Sequence, residues 1–355
     1  MIISCFSIID YSFDEGYNKN NIKIGEITMV RNIGIFESQG YDPHYNIAIE
    51  KFLLQNVEPG QCILYLWQNQ NTVVIGRNQN AWAECRTALL EDEGGKLARR
   101  LSGGGAVFHD LGNLNFTFLM RDEDYDLDKQ FDVILTACRN LGIRAEKSGR
   151  NDLLAEGCKF SGNAFYHSQG RAYHHGTLLV DADMDKLSRY LTPSKAKLEA
   201  KGVQSVRSRV TNLKEFCPTL TCEILKEYLK TAFAQVYGGE PFTVSLDEKQ
   251  LTVIEESAKE LGDWGWCYGP KLPFSAQWEG RFSWGGIQIG IQAESGRIQD
   301  AHVFSDAMDW TVAEQVEKAL QNCRYDLNDM YQAIAAQVSD PQLAKDIQEL
   351  LSEQF

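Results

Sequence analysis

The spacing of apolar residues changes along the chain, and each change marks an element. Asp42-Pro43 supplies a helix cap followed by a proline suited to the first helical position, and Tyr45, Ala48, Phe52 and Leu53 then recur at helical spacing. IGIF after Met29, CILYLW (62–67) and TVVIG (72–76) are short β-branched or aromatic runs that predict strands. Residues 81–93 predict one helix, stopped by Gly94-Gly95. Phe131, Leu135, Cys138 and Leu141 share a face of a helix over 128–141, with Gly142 just past its end. Strands are expected at 143–147, 152–155, 158–166 and 172–180, and helices near 183–191, 194–201, 221–237 and 247–262. GDWGWCYGPKLPF (262–274) is rich in Gly, Pro and Trp and marks a domain boundary. Beyond it, FSWGGIQIGIQAE and RIQDAHVFS predict strands, with helices to the C-terminus: a small α+β layer.

Composition narrows the class. The 355 residues are 43% hydrophobic and 24% charged, enough for a large domain with a smaller companion. No apolar run approaches the roughly 20 residues of a membrane span. MIISCFSIID lacks a basic leader region, so no signal peptide is expected. The nine cysteines contain no CxxC pair and are odd in number, which argues for reduced thiols and a cytoplasmic setting. A formal net charge of −14 speaks against broad binding to nucleic acid, yet leaves room for a local basic pocket.

Arg99–Phe118, RRLSGGGAVFHDLGNLNFTF, sets two arginines and Gly103-Gly104-Gly105 before strand-like runs. Successive glycines let backbone N–H groups turn toward a bound anion, and Arg99 or Arg100 could add a charge-assisted contact. For three glycines alone, a plain turn between strands is the simpler reading. No GxxxxGK[ST] occurs, and no GxGxxG opens a helix, so neither a P-loop nor a dinucleotide fold is indicated. The stretch 148–180 carries Asn151-Asp152, Lys159, Ser161-Gly162 and His174-His175. Strand alternation puts Lys159 on one face with Ser161 and Asn163, opposite Phe160, from where it could reach a cleft or stand in solvent. Asp152 could hold Mg²⁺ beside phosphates or cap a turn. The histidine pair has no third ligand at a recognised spacing, so packing or pocket lining is expected.

TVVIGRNQNAW (72–82), RRLSGGGAVFHDLGNLNFTF (99–118), SGRNDL (148–153), KFSGNAF (159–165), HHGTLL (174–179) and KGVQSVRSRVTNL (201–213), in that order, resemble the lipoate–protein ligase A family. The resemblance runs from about residue 33 to the C-terminus. It implies an α+β protein: a large mixed-sheet catalytic domain of the biotin/lipoate ligase type (31–265), a linker (266–277) and a small α+β C-terminal accessory domain (278–355), with residues 1–30 a peripheral extension. It implies a ligase that activates lipoate with ATP to lipoyl-AMP, releasing pyrophosphate, and transfers the lipoyl group to one lysine of a carrier. By the same resemblance Lys159 is the catalytic residue, bridging the lipoate carboxyl and the α-phosphate. Arg100, Gly105, Ala106, Val107, Phe108 and Lys159 would contact ATP. Ser102, Gly104, Gly105, His109 and Lys159 would contact lipoate, Asp152 and Asn151 would hold Mg²⁺, and the segment Val203–Arg209 would close over the adenylate. The implied partners are lipoyl domains of 2-oxo acid dehydrogenase acyltransferase subunits and the glycine cleavage H protein, with no nucleic acid and no membrane. Tyr166 stands where some members carry arginine, so no contact is assigned there. The alternative within the superfamily is an octanoyl or lipoyl transferase that forms a cysteine thioester without ATP. Cys158 is its candidate, although alternation turns Cys158 away from the face of Lys159.

Overall fold

The computed structural model describes residues 30–149, 151–192, 210–268, 276–294 and 296–352. The expected helix 194–201, the expected closing segment 203–209 and the extension up to residue 29 lie outside these.

The large sheet is built from β1 (Asn32–Glu37), β2 (Gln61–Trp67), β6 (Asn113–Arg121), β7 (Ala145–Ser148), β8 (Asp152–Ala155), β9 (Cys158–Ser168), β10 (Arg171–Leu179) and β11 (Phe242–Thr243). Their order is β11-β1-β2-β6-β10-β9-β8-β7, parallel at β11-β1-β2 and antiparallel from β2 onward. A second sheet joins β3 (Thr72–Ile75) to β4 (Lys96–Arg99) in parallel and to β5 (Val107–His109) in antiparallel. This is a mixed α+β architecture, as expected.

Alternation explains the layers. On β2, Cys62, Leu64 and Leu66 face a core completed by the helices Leu127–Asn140 and Cys222–Tyr237. Ile63, Tyr65 and Trp67 face the opposite way, onto the helix Pro43–Asn56 and one side of the small sheet, through Val74, Ala98 and Val107. The far side of the small sheet, with Val73, Ile75 and Phe108, is covered by short helices and Tyr190. The helix Pro43–Asn56 starts as the sequence dictates: the Asp42 carboxylate accepts the N–H of Tyr45 at 2.9 Å, with Pro43 in the first turn.

Two local expectations change. Residues 81–93 form two helices, Ala81–Glu84 and Thr87–Asp92. Cys85 between them is extended and bridges to Leu191, while the Arg86 N–H donates to the Tyr190 carbonyl at 2.9 Å; cross-chain pairing outweighs local helix preference. In the C-terminal unit, FSWGG holds a turn rather than the start of a strand. β12 (Ala276–Phe282) ends there, β13 (Gly285–Glu294) begins, and β14 (Arg297–Ser305) completes an antiparallel sheet covered by the helices Thr311–Leu320, Leu327–Gln337 and Pro341–Leu351.

This C-terminal unit touches the glycine run. The Gly104 N–H, on a residue with φ +89°, donates to the Ala307 carbonyl at 3.0 Å. A Cβ on Gly103 would stand 2.2 Å from that same oxygen, so residue 103 must lack a side chain. Arg77 lies 4.6 Å over the Trp310 ring, which stacks on Tyr166 at 5.4 Å. Among the described residues no helix is long and apolar enough to cross a membrane.

Candidate functional site

A cavity of about 820 Å³ opens between the large sheet, the glycine run and the C-terminal unit. Its floor follows from strand register. Gly162 donates its N–H to Thr177 Oγ1 (3.2 Å), and Thr177 pairs with Asn115, which pairs with Trp67. The next row runs Ala164, His175, Thr117, Tyr65. The helix Pro43–Asn56 adds Ile47 and Glu50, the small sheet adds Val74, Val107 and His109, and the C-terminal unit adds Arg281, Asp306 and Met308.

Lys159 reaches this cavity by a route that simple alternation misses. β8 pairs with β9 in the register Asp152–Gly162, Leu153–Ser161 and Leu154–Lys159, so Phe160 is an extra residue, a β-bulge. Phe160 stays in the helix-side core. Asn163 donates to Ser161 Oγ (3.2 Å) and its Oδ1 bonds His174 (2.8 Å), which places Ser161 and Asn163 on the helix side as well. The bulge turns Lys159 to the opposite face, with Gly162 and Ala164. Its Nζ lies 3.2 Å from where a Cβ on Gly162 would be, so Gly162 leaves the space that the ammonium occupies. The Asp152 carboxylate accepts from Nζ at 2.6 Å. The expectation that Lys159 shares a face with Ser161 and Asn163 is therefore corrected.

The two arginines divide their work. Arg99 points away from the cavity and donates to the carbonyls of Gly76, Arg77, Gln79, Trp266 and Cys267, stapling the 76–79 turn to the helix Trp264–Tyr268. Arg100 lines the cavity, but its guanidinium donates to the carbonyls of Val74, Gly103 and Gly105 and to Ser102 Oγ. It thereby shapes the glycine run from beneath. Burial pulls its pKa down to about 10, which leaves it charged at neutral pH. Phe108 is turned to the far side of the small sheet, 5.3 Å from the Tyr190 ring, and does not line the cavity, unlike its expected companions Gly105, Ala106 and Val107. Ser102 is fully buried behind the wall.

Ser102 belongs to a relay under the floor. Its Oγ accepts from Arg100 Nε (3.1 Å) and lies 2.8 Å from His175 Nε2; His175 Nδ1 lies 2.8 Å from Glu50 Oε1. Thr117 Oγ1 also donates to Glu50 Oε1 (2.7 Å) and accepts from Trp67 Nε1 (3.1 Å). The carboxylate fixes the His175 proton on Nδ1. His109, by contrast, accepts from Asn69 Nδ2 at Nδ1 (3.1 Å), so its proton sits on Nε2, a buried donor that lines the cavity with no partner among the described residues. His174, the other member of the pair, faces the helix side between Gln130 and Asn163.

Burial, reinforced by Arg100 and His175, pulls the His109 pKa down to about 3, and burial also holds His174 well below its usual value. Both are neutral when folded, whereas in the unfolded chain they titrate near about 6.5. The unfolded state thus binds more protons below that pH. Stability is expected to fall as pH drops from about 6.5 toward 3, by up to about 1.4 kcal/mol per pH unit for each histidine. Thermal denaturation between pH 7 and pH 5 measures the slope, and His109→Gln should make it shallower.

Asp152 lines the cavity, and Asn151 lines it while donating its amide N–H to the Asn163 carbonyl at 3.0 Å. Among the described residues no group of three or more His, Cys, Asp or Glu gathers to hold a metal. Cys158 pairs with Ala155 in the helix-side register and does not line the cavity. The sequence reading missed Glu50, Trp67, Asn115, Thr177 and Met308. Glu50 carried a signal: a charged residue on the apolar face of a helix, three positions after Ile47 and three before Leu53.

The fold is that of a ligase-type enzyme family: residues 42–234 match the lipoyl protein ligase A/B catalytic domain family, to which the chain belongs. Residues 271–352 match the bacterial lipoate protein ligase C-terminus. Among solved structures, Plasmodium falciparum LipL1 in complex with lipoate is similar over 91% of this chain and 99% of its own, at 29% identity and a TM-score of 0.79. A bi-partite lipoate protein ligase from Thermoplasma acidophilum, solved with its E2 lipoyl domain, is 25% identical over 70% of this chain and 100% of its own, with a TM-score of 0.61. A lipoate-protein ligase A bound with ATP shares the fold, at 24% identity over 67% of this chain and 98% of its own and a TM-score of 0.59.

Proposed function

We propose that the chain is an ATP-dependent lipoate–protein ligase. The carboxylate of lipoate attacks the α-phosphorus of ATP, the bond to pyrophosphate breaks, and lipoyl-AMP forms. The ε-amine of a carrier lysine then bonds the acyl carbon, gives up a proton and displaces AMP. One observation carries this reading: Lys159, Gly104 and Gly105 line the same cavity, bringing an ammonium and a glycine-shaped backbone to one place.

The division of labour follows from chemistry. Two anions must meet in the first step, so a cation is needed between them. Lys159 supplies it: its Nζ, paired with Asp152, is a point charge on a flexible stem that can turn to the carboxylate and α-phosphate. The acyl chain runs across the strands, from Lys159 on β9 over His175 and Thr177 to Trp67 on β2. Three strand spacings give about 14 Å for it. Val74, Ile47 and Trp67 provide apolar contact at the far end, and His109 Nε2 provides a donor there. Arg100 holds the glycine run in shape beneath ATP. Asp152 and Asn151 fit a Mg²⁺ ion held mainly by phosphate oxygens and water, a cation that asks for one or two protein ligands. Such an ion supplies neutralising charge to the pyrophosphate. The carriers are lipoyl domains of 2-oxo acid dehydrogenase acyltransferase subunits and the glycine cleavage H protein. The structure of the Thermoplasma acidophilum relative with its E2 lipoyl domain supports this class of partner.

Incubating the protein with an apo lipoyl domain, lipoate, ATP and Mg²⁺ should raise the domain's mass by one lipoyl amide, and omitting ATP should abolish the gain. No gain with lipoate and ATP, together with a gain when an already acylated carrier replaces both, would instead make the enzyme a transferase.

A further inference from the structure

Arg171 on β10 and Arg121 on β6 stand directly opposite each other, on the same sheet face as Tyr173 and Leu119. Like charges placed this way repel. Neither forms an ion pair among the described residues, and the Nε of each is buried without a hydrogen-bond partner. The carboxylate next in sequence, Asp122, is engaged with His167 at 2.9 Å. Arg171 also lines a cleft of about 340 Å³, together with Lys51, Arg77, Tyr166, Trp266 and Glu260. Glu260 is the one carboxylate of that lining; it sits 3.7 Å from Lys51 with its side chain 76% exposed. Arg77 is held between Trp266 and Trp310. A chain with a net charge of −14 thus concentrates uncompensated positive charge in one place.

We propose that this cleft, with Arg121 beside it across the strand from Arg171, docks an acidic surface segment of the carrier domain, whose carboxylates bridge the two arginines while its acceptor lysine enters the main cavity. The proposal rests on the ligase reading above. Paired guanidinium groups bind carboxylates in bidentate fashion, which turns the repulsion between them into attraction for a shared anion. The distances suit one partner: Arg171 lies four residues along β10 from His175 in the cavity floor, about 13 Å. A domain of about 70 residues has a radius of gyration of about 11 Å, large enough to span both places. Steering by such a patch acts on association, so its effect belongs in KM for the carrier rather than in the chemistry.

The test uses the full chain and an apo lipoyl domain of a 2-oxo acid dehydrogenase acyltransferase subunit. Arg171→Glu should raise KM for that domain about tenfold and flatten its rise with ionic strength, while lipoate-dependent ATP–pyrophosphate exchange stays at the wild-type rate. Arg121→Gln removes the repulsion, so it should raise the melting temperature and yet also raise KM; a merely structural arginine would lower the melting temperature. Should Arg171→Glu fold poorly, Arg171→Gln reads the same KM. An unchanged carrier KM in the folded Arg171 variants, or a drop in melting temperature for Arg121→Gln without a change in KM, overturns the proposal. Failure of the ligase reading would appear separately, as absent exchange in the wild-type protein.

Discussion

Lys159→Ala is expected to lower lipoate-dependent ATP–pyrophosphate exchange by about a thousandfold, while the melting temperature moves by no more than a few degrees. The wall of the cavity holds few groups able to meet developing charge. Arg100 is tied to the carbonyls of Val74, Gly103 and Gly105, and its displacement would undo the glycine run. Among the described residues the Lys159 ammonium pairs with Asp152, and both side chains are more than a third exposed, 36% and 37%. Solvent screens that pair, so losing it removes little stability. Removing a preorganised charge from a reacting centre costs far more in rate, typically 10²–10³-fold for a single donor. Exchange at the wild-type rate in the folded variant would remove Lys159 from the mechanism and the ligase reading with it.

Glu50→Ala should act mainly on the fold. The carboxylate is fully buried and accepts from both His175 Nδ1 and Thr117 Oγ1. Truncation strands both donors and opens a void beneath the floor. A loss of about 3 kcal/mol follows from those two effects together. For a chain of this length that is a melting temperature lower by about 4 °C. The His175 ring, freed from its fixed proton position, should also raise KM for lipoate. Glu50→Gln keeps one carbonyl acceptor and should fall between the two. Calorimetry on the three proteins orders them, and an alanine variant as stable as the wild type would show that the relay does not hold the floor together.

Period and punctuation in the sequence were enough for most of the elements. Asp42-Pro43, the 131/135/138/141 stripe and Gly142 each act locally, and the helices begin and end close to where they indicate. The glycine run and Lys159 become candidates through the ordered blocks that resemble the ligase family; taken singly, a plain turn and a solvated lysine are the simpler readings. What stayed hidden depends on partners far along the chain. Residues 81–93 could not show that Leu191 would pair with Cys85 and break the helix. Arg99 and Arg100 are indistinguishable neighbours until strand β4 sends one toward Trp266 and the other under Gly103. Trp67, Asn115 and Thr177 become one row of the cavity floor only through register between β2, β6 and β10.

The bulge at Phe160 makes the orientation of Lys159 a matter of counting. Between Ala155 and Gly162 the chain holds one residue more than its partner strand, and that residue decides which of two neighbours, the Phe160 ring or the Lys159 ammonium, turns to the core and which to the cavity. Loss or gain of a single residue there would trade one for the other, sinking a charge into the oily interior and lifting a phenyl ring into the chamber.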